Sequence, residues 1–160
     1  MSFHKTLLSF FALVSILFLY ACSQKTEFIY SHDFLSQEWK KDEALAVTFS
    51  VDDTTALYDV VLRLTNTNDY PYANLYLFST IFVPNNTQIR DTVEFFLSDN
   101  AGNWIGKGWF SYTNTYLFRR GIRFPQQGEY TFLFEQAMRC KNKQCSVFGI
   151  KKIEFELQKR

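Results

Sequence analysis

Leu57-Tyr58-Asp59-Val60-Val61-Leu62-Arg63-Leu64-Thr65 decides the fold class. Tyr58, Val60, Leu62 and Leu64 fall on one face, with Asp59, Arg63 and Thr65 on the other. Successive side chains of a strand point to opposite faces, so this alternation specifies a strand with one face toward a core. The same period continues down the chain. Ile89, Val93, Phe95 and Leu97 oppose Arg90, Thr92 and Glu94, and Ile153, Phe155 and Leu157 oppose Lys152, Glu154 and Glu156. Further strands are predicted over 45–51, 74–83, 104–110 and 129–137, and the last alternating run covers 147–157. Asp52-Asp53, residues 66–71, Pro84-Asn85-Asn86, residues 99–102 and residues 125–128 supply the turn chemistry between them. No stretch holds a helical stripe of any length. Seven or eight short strands with turns at fairly even spacing predict an all-β fold, an antiparallel β-sandwich of jelly-roll or Ig-like type. Of 18 Phe, 9 Tyr and 3 Trp, five fall in the first 21 residues. Many of the others must fill the core, since each can bury about 150–250 Å² between facing sheets.

Residues 1–21 have the three parts of a bacterial secretory signal. His4 and Lys5 form a basic start, residues 7–19 are apolar, and Ala21 is the small residue before a cut. Leu19-Tyr20-Ala21-Cys22 then reads as a lipobox in which Cys22 is acylated, with Tyr20 where a smaller residue is usual. An uncleaved span is the weaker reading, because a membrane helix needs about 20 apolar residues. Residues 7–21 offer only 15, with no basic stop after them. A lipidated cysteine carries more than one acyl chain, which makes the tether effectively permanent. Ser23 follows Cys22, where an aspartate often marks inner-membrane retention in Gram-negative bacteria. The expectation is therefore the outer membrane, and its periplasmic face, because Ser23-Gln24-Lys25-Thr26-Glu27 holds one acid where surface-exported lipoproteins of Bacteroidetes tend to carry an acidic cluster. The organisation expected is a signal peptide over 1–21, a lipid-anchored tether over 22–43 that runs into a segment packing on the domain, and a single sandwich domain over 44–160.

Removing 21 of 160 residues leaves 139, enough for one domain with its own core. Lys5 is the one Lys or Arg that leaves with the signal, so the 17 basic side chains fall to 16 against 16 acidic. A balanced chain without a basic tract has no electrostatic case for nucleic acid. Cys140 and Cys145 flank Lys141-Asn142-Lys143-Gln144 and, in an oxidising compartment, read as a disulfide across strand ends. Such a small ring stabilises by roughly 2 kcal/mol in the chain-entropy view. A metal pair there lacks partners, because His32 is the one histidine left after processing. The same shortage disfavours Ser-His or Cys-His nucleophiles and a histidine zinc site. Gly102 to Gly108 is no phosphate loop: three residues, not four, separate Gly102 from Gly106-Lys107, and Gly108 stands where Ser or Thr is needed. No catalytic activity, cofactor or metal is expected.

Several blocks, in order, resemble one family. They are Trp39-Lys40-Lys41-Asp42, Asn68-Asp69-Tyr70-Pro71-Tyr72-Ala73-Asn74-Leu75-Tyr76-Leu77, Asp91-Thr92, Gly102 to Gly108, Phe124 to Tyr130, and Gln136-Ala137-Met138-Arg139. Following a lipobox, they resemble the gliding-motility lipoprotein GldH family of Bacteroidetes. That resemblance implies a non-catalytic outer-membrane lipoprotein, connected to a motility machinery linked to type IX secretion and working through contacts with envelope proteins. Candidate contact residues are Asn68, Asp69, Tyr70 and Tyr72 in a turn-rich loop, and Gln136 and Arg139 at a strand end. Phe124 to Tyr130 reads as a structural strand entry, as at tyrosine-bearing sandwich corners. The alternative is a glycan- or ligand-binding lipoprotein that uses Tyr70, Tyr72, Tyr76, Trp104 and Trp109. It predicts a concave groove lined by aromatic rings with convergent polar groups.

Overall fold

The computed structural model describes residues 25–85, 87–139 and 146–160. Cys22, Cys140 and Cys145 lie outside the described residues, and so do the expected signal peptide and the expected Cys140–Cys145 disulfide. Ten strands make up the regular structure of the described residues: β1 (Lys25–Asp33), β2 (Glu38–Lys40), β3 (Ala44–Val51), β4 (Tyr58–Thr67), β5 (Asn74–Phe82), β6 (Gln88–Phe96), β7 (Ser111–Ile122), β8 (Gly128–Gln136), β9 (Ser146–Phe148) and β10 (Ile150–Lys159). They form two four-stranded antiparallel sheets, ordered β1-β10-β4-β7 and β3-β8-β5-β6, and a short β2-β9 pair. Eight long strands are nested in pairs: β1 with β10, β3 with β8, β4 with β7, and β5 with β6. First with last and so inward is a rolled-up hairpin, the jelly-roll order. It resolves the two sandwich types left open by the sequence.

The alternation in 57–65 explains why this chain makes this fold. Tyr58, Val60, Leu62 and Leu64 all face inward and are buried. Beneath them rings from both sheets interlock: Phe155 on β10 lies 5.2 Å from Phe132 on β8 and 5.6 Å from Phe49 on β3. Tyr130 is the expected corner tyrosine, buried, with its hydroxyl donating back to the Gln126 carbonyl at 2.9 Å.

Three departures from the expected strands have physical causes. Residues 104–110 form a loop, and the next strand is β7, whose Thr and Asn side chains hide its period. The run 147–157 is broken into β9 and β10 at Gly149, which has φ +83° and sits against the Tyr70 backbone so closely that a Cβ would collide with it. Within 22–43, read as a tether, the chain from Lys25 onward is already strand: β1 pairs with β10 along its length.

Register fixes two poles. Lys25, Val51, Tyr58, Phe82, Ile122 and Gly128 mark strand ends at the pole where β1 begins. Ala44, Thr67, Asn74, Phe96 and Ser111 mark the opposite pole. A nine-residue strand at about 3.3 Å per residue separates the two by roughly 30 Å.

Candidate functional site

Four blocks that are scattered in the sequence meet at the pole remote from Lys25. Residues 39–42 form the end of β2 and the turn after it, 68–73 join β4 to β5, 97–110 join β6 to β7, and 137–139 leave β8. Trp39 closes the core beneath them, fully buried, with its indole N–H donating to the Glu43 carbonyl at 2.8 Å.

The loop over 68–73 is built inward. Tyr70 is buried, and its hydroxyl donates to the Asn74 carbonyl at 2.7 Å. Burial pushes that phenol above its ordinary range. The Asn68 side chain accepts a hydrogen bond from the Trp104 indole at 3.1 Å and so ties this loop to the next. The second loop is organised by Asp99, whose carboxylate accepts from the Asn103 side chain and from the Ala101 and Asn103 backbone N–H groups. Those bonds, the Asn103 side chain first, hold the carboxyl below its usual range. Rings then run across the pole: Tyr72 to Tyr70 at 5.7 Å, Tyr70 to Trp104 at 6.3 Å, and Trp104 to Tyr112 at 5.9 Å.

Past Trp104 the chain makes a closed finger. Lys107 and Thr113 exchange two backbone hydrogen bonds at 3.0 and 2.9 Å. Gly108 turns the chain at φ +146°, where a Cβ would strike the Ser111 carbonyl. The Tyr112 hydroxyl donates to the Trp109 carbonyl at 3.1 Å and braces the tip. The tip presents Trp109 and Phe110, each 89% exposed. Two large apolar rings are thus held in solvent on a braced loop. Phe110 is absent from the sequence reading because 104–110 was taken as a strand. Two bulky neighbours in sequence cannot both face a core from a strand, and that was the available signal.

The sequence candidates divide. Asn68 and Asp69 are exposed, and Tyr72 is 44% exposed. Tyr70 and Gln136 are buried and support the surface from beneath; the Gln136 side chain accepts from the Met138 N–H at 3.0 Å. Tyr72 and Arg139, 67 positions apart in sequence, line one groove of about 610 Å³ with Tyr76, Phe78, Thr92, Ala137 and Met138. His32 lies in β1 with its Nε2 3.4 Å from the Glu43 carboxylate. Among the described residues no three His, Cys, Asp or Glu side chains are grouped as metal ligands.

An antiparallel jelly roll that gathers exposed aromatic rings at one pole defines an all-β sandwich domain. The chain belongs to the GldH lipoprotein family, whose sequence pattern matches residues 28–156. It is 32% identical over 91% of its length to the gliding motility lipoprotein GldH homolog of Christiangramia forsetii, of which it covers 87%. It is 26% identical over 92% of its length to the gliding motility lipoprotein GldH of Flavobacterium johnsoniae, of which it covers 94%. Among solved structures it is similar to a chain of the infectious bursal disease virus subviral particle, with TM-score 0.36 and 10% identity. That overlap covers 85% of this chain and 34% of the viral one.

Proposed function

We propose that this protein is a non-catalytic outer-membrane lipoprotein, anchored on the periplasmic face through acylated Cys22, that serves a gliding-motility or associated type IX secretion apparatus by binding envelope proteins. The observation that carries this reading is the position of the Trp109–Phe110 finger. Cys22 lies three residues before Lys25, a reach of about 10 Å at most. The acyl chains then hold the β1-start pole near the bilayer, and the finger stands roughly 30 Å away, facing the periplasm rather than its own membrane. Trp and Phe in such positions are the residue types that anchor protein interfaces.

The test is complementation of a deletion strain with the full chain carrying Trp109→Ala and Phe110→Ala, with surface spreading and secretion scored separately. The expected result is normal acylation and abundance, loss of one or both phenotypes, and loss of co-purifying envelope proteins after mild solubilisation. Full complementation by the double variant would overturn the finger as the contact surface. An unacylated mature N-terminus by mass spectrometry would overturn the anchor.

A further inference from the structure

The groove beside Tyr72 is built differently from the finger. Its floor is the outer face of β5, where Tyr76 and Phe78 point away from the core, and Thr92 stands opposite Phe78 on β6. Met138 and Arg139 form one wall, fixed by the Ala137 N–H donating to the Tyr76 carbonyl at 2.7 Å and by the Met138 sulfur accepting from the Tyr76 N–H at 3.3 Å. Tyr72 closes the end, its ring edge-on to buried Tyr70. The Arg90 guanidinium lies over the Phe78 ring, 4.5 Å from its centroid, and is paired with Glu135 at 2.8 Å. Glu94 faces Tyr76 across the strand pair; it accepts from the Tyr76 hydroxyl and, at 2.5 Å, from the Asn74 amide.

We infer that this groove binds a neutral pyranoside glycan. The lining decides among ligand classes. Arg139 is the single charged side chain of this lining, and Glu94 stands next to it opposite Tyr76, so no cluster of one sign favours a polyanion or a polycation. A wholly apolar ligand would strip water from Arg139 and the Thr92 hydroxyl without replacing their hydrogen bonds. An added peptide strand would need a sheet edge, whereas these side chains stand on a sheet face. A pyranoside meets each requirement. Its C–H face lies against the Tyr72 and Tyr76 rings, its hydroxyls accept from Arg139, and they exchange hydrogen bonds with the Thr92 hydroxyl. The volume of about 610 Å³ is within the range of small-molecule sites and suits a short run of sugar rings.

The test is calorimetric titration of the detergent-solubilised full chain with three probes: a linear tetramer of β-linked N-acetylglucosamine, a linear tetramer of α-linked glucose, and a tetramer of galacturonate. Saturable binding of one neutral tetramer is expected, the β-linked one pointing to wall glycan and the α-linked one to storage or surface glucan. Tyr72→Ala and Arg139→Gln should each weaken that binding about tenfold at unchanged melting temperature, and Trp109→Ala should not. The inference fails if neither neutral tetramer saturates by about 10 mM, or if the galacturonate tetramer binds more tightly. It fails equally if both groove variants bind as the parent does. Should Tyr72→Ala instead remove a co-purifying protein while no sugar binds, the groove is a protein interface and the inference is overturned. None of these outcomes bears on the Trp109–Phe110 finger.

Discussion

Ser79 points inward from β5 with its hydroxyl buried and without a hydrogen-bond partner among the described residues. An unpaired buried hydroxyl is a cost that alanine removes at almost constant volume. Ser79→Ala should therefore raise stability by about 1 kcal/mol in urea unfolding, and a loss of that size would show that the hydroxyl does bond. Tyr70 is the opposite case. Its hydroxyl is matched to the Asn74 carbonyl, so Tyr70→Phe should cost about 1 kcal/mol by the same assay. Glu156 is the partly buried carboxylate that contributes to the acid response. Burial would raise this carboxyl, but hydrogen bonds from Gln158, Thr26 and Arg63 outweigh burial and hold it below the usual glutamate range. A depressed carboxyl stabilises the fold above that range, and the contribution is lost as pH falls through it. Glu156→Gln should lower the urea midpoint at neutral pH and flatten its decline between about pH 5 and pH 3, whereas an unchanged slope would remove Glu156 as a source of the acid response. Residue-scale outcomes of this kind were only half legible beforehand. Asn68 and Asp69 read correctly as turn residues, but a one-dimensional pattern cannot reveal that Tyr70 and Gln136 turn inward, or that Tyr72 and Arg139 share a groove.

At the scale of elements, legibility follows burial. β4 is central and buried on both faces, and β8 and β10 each lie between two neighbours, so their apolar alternation is strong and all three were found. The long strands that the alternation does not mark, β1 and β7, are the two edges of one sheet, while short β2 has too few residues to show a period. An edge strand packs one face only partly, so polar residues are tolerated where the period would otherwise show. β6 illustrates the same effect within a strand that was found. Phe95 is buried as its alternation predicts, yet Ile89 is 58% exposed because the other end of this edge strand lacks cover from the opposite sheet. The finger between β6 and β7 follows the same logic of exposure. Its two aromatic rings touch solvent, so Trp109→Ala with Phe110→Ala should move stability by less than about 0.5 kcal/mol. A melting temperature equal to the parent's would separate a contact role from a packing role, and a large drop would place the rings in the fold.

For the molecule as a whole, the question is where the sandwich begins. A polar tether over 22–43 and a first strand at Lys25 make opposite predictions about truncation. β1 supplies an edge of its sheet by pairing with β10, and it brings Phe28 onto Phe49 at 5.5 Å and onto Phe155 at 6.3 Å. Phe155 is the ring that joins the two sheets, in contact also with Phe132 and Phe134. Removing β1 would therefore strip nine residues of ladder from β10 and open the aromatic core to water at one edge. It would leave β10 as an exposed, partly apolar edge, a template for association between chains. Losing partly buried Phe28 alone from such a cluster is worth about 1–2 kcal/mol, a sizeable share of a single domain's stability. A soluble chain starting at Lys25 should melt as one cooperative unit by circular dichroism. A chain starting at Phe34 should aggregate or lose its cooperative transition. Were the shorter chain to melt like the longer one, β1 would be a dispensable tether after all. The height assigned to the distal pole would then fail with it, because a free segment before Phe34 would let the domain tumble at any angle to its anchor.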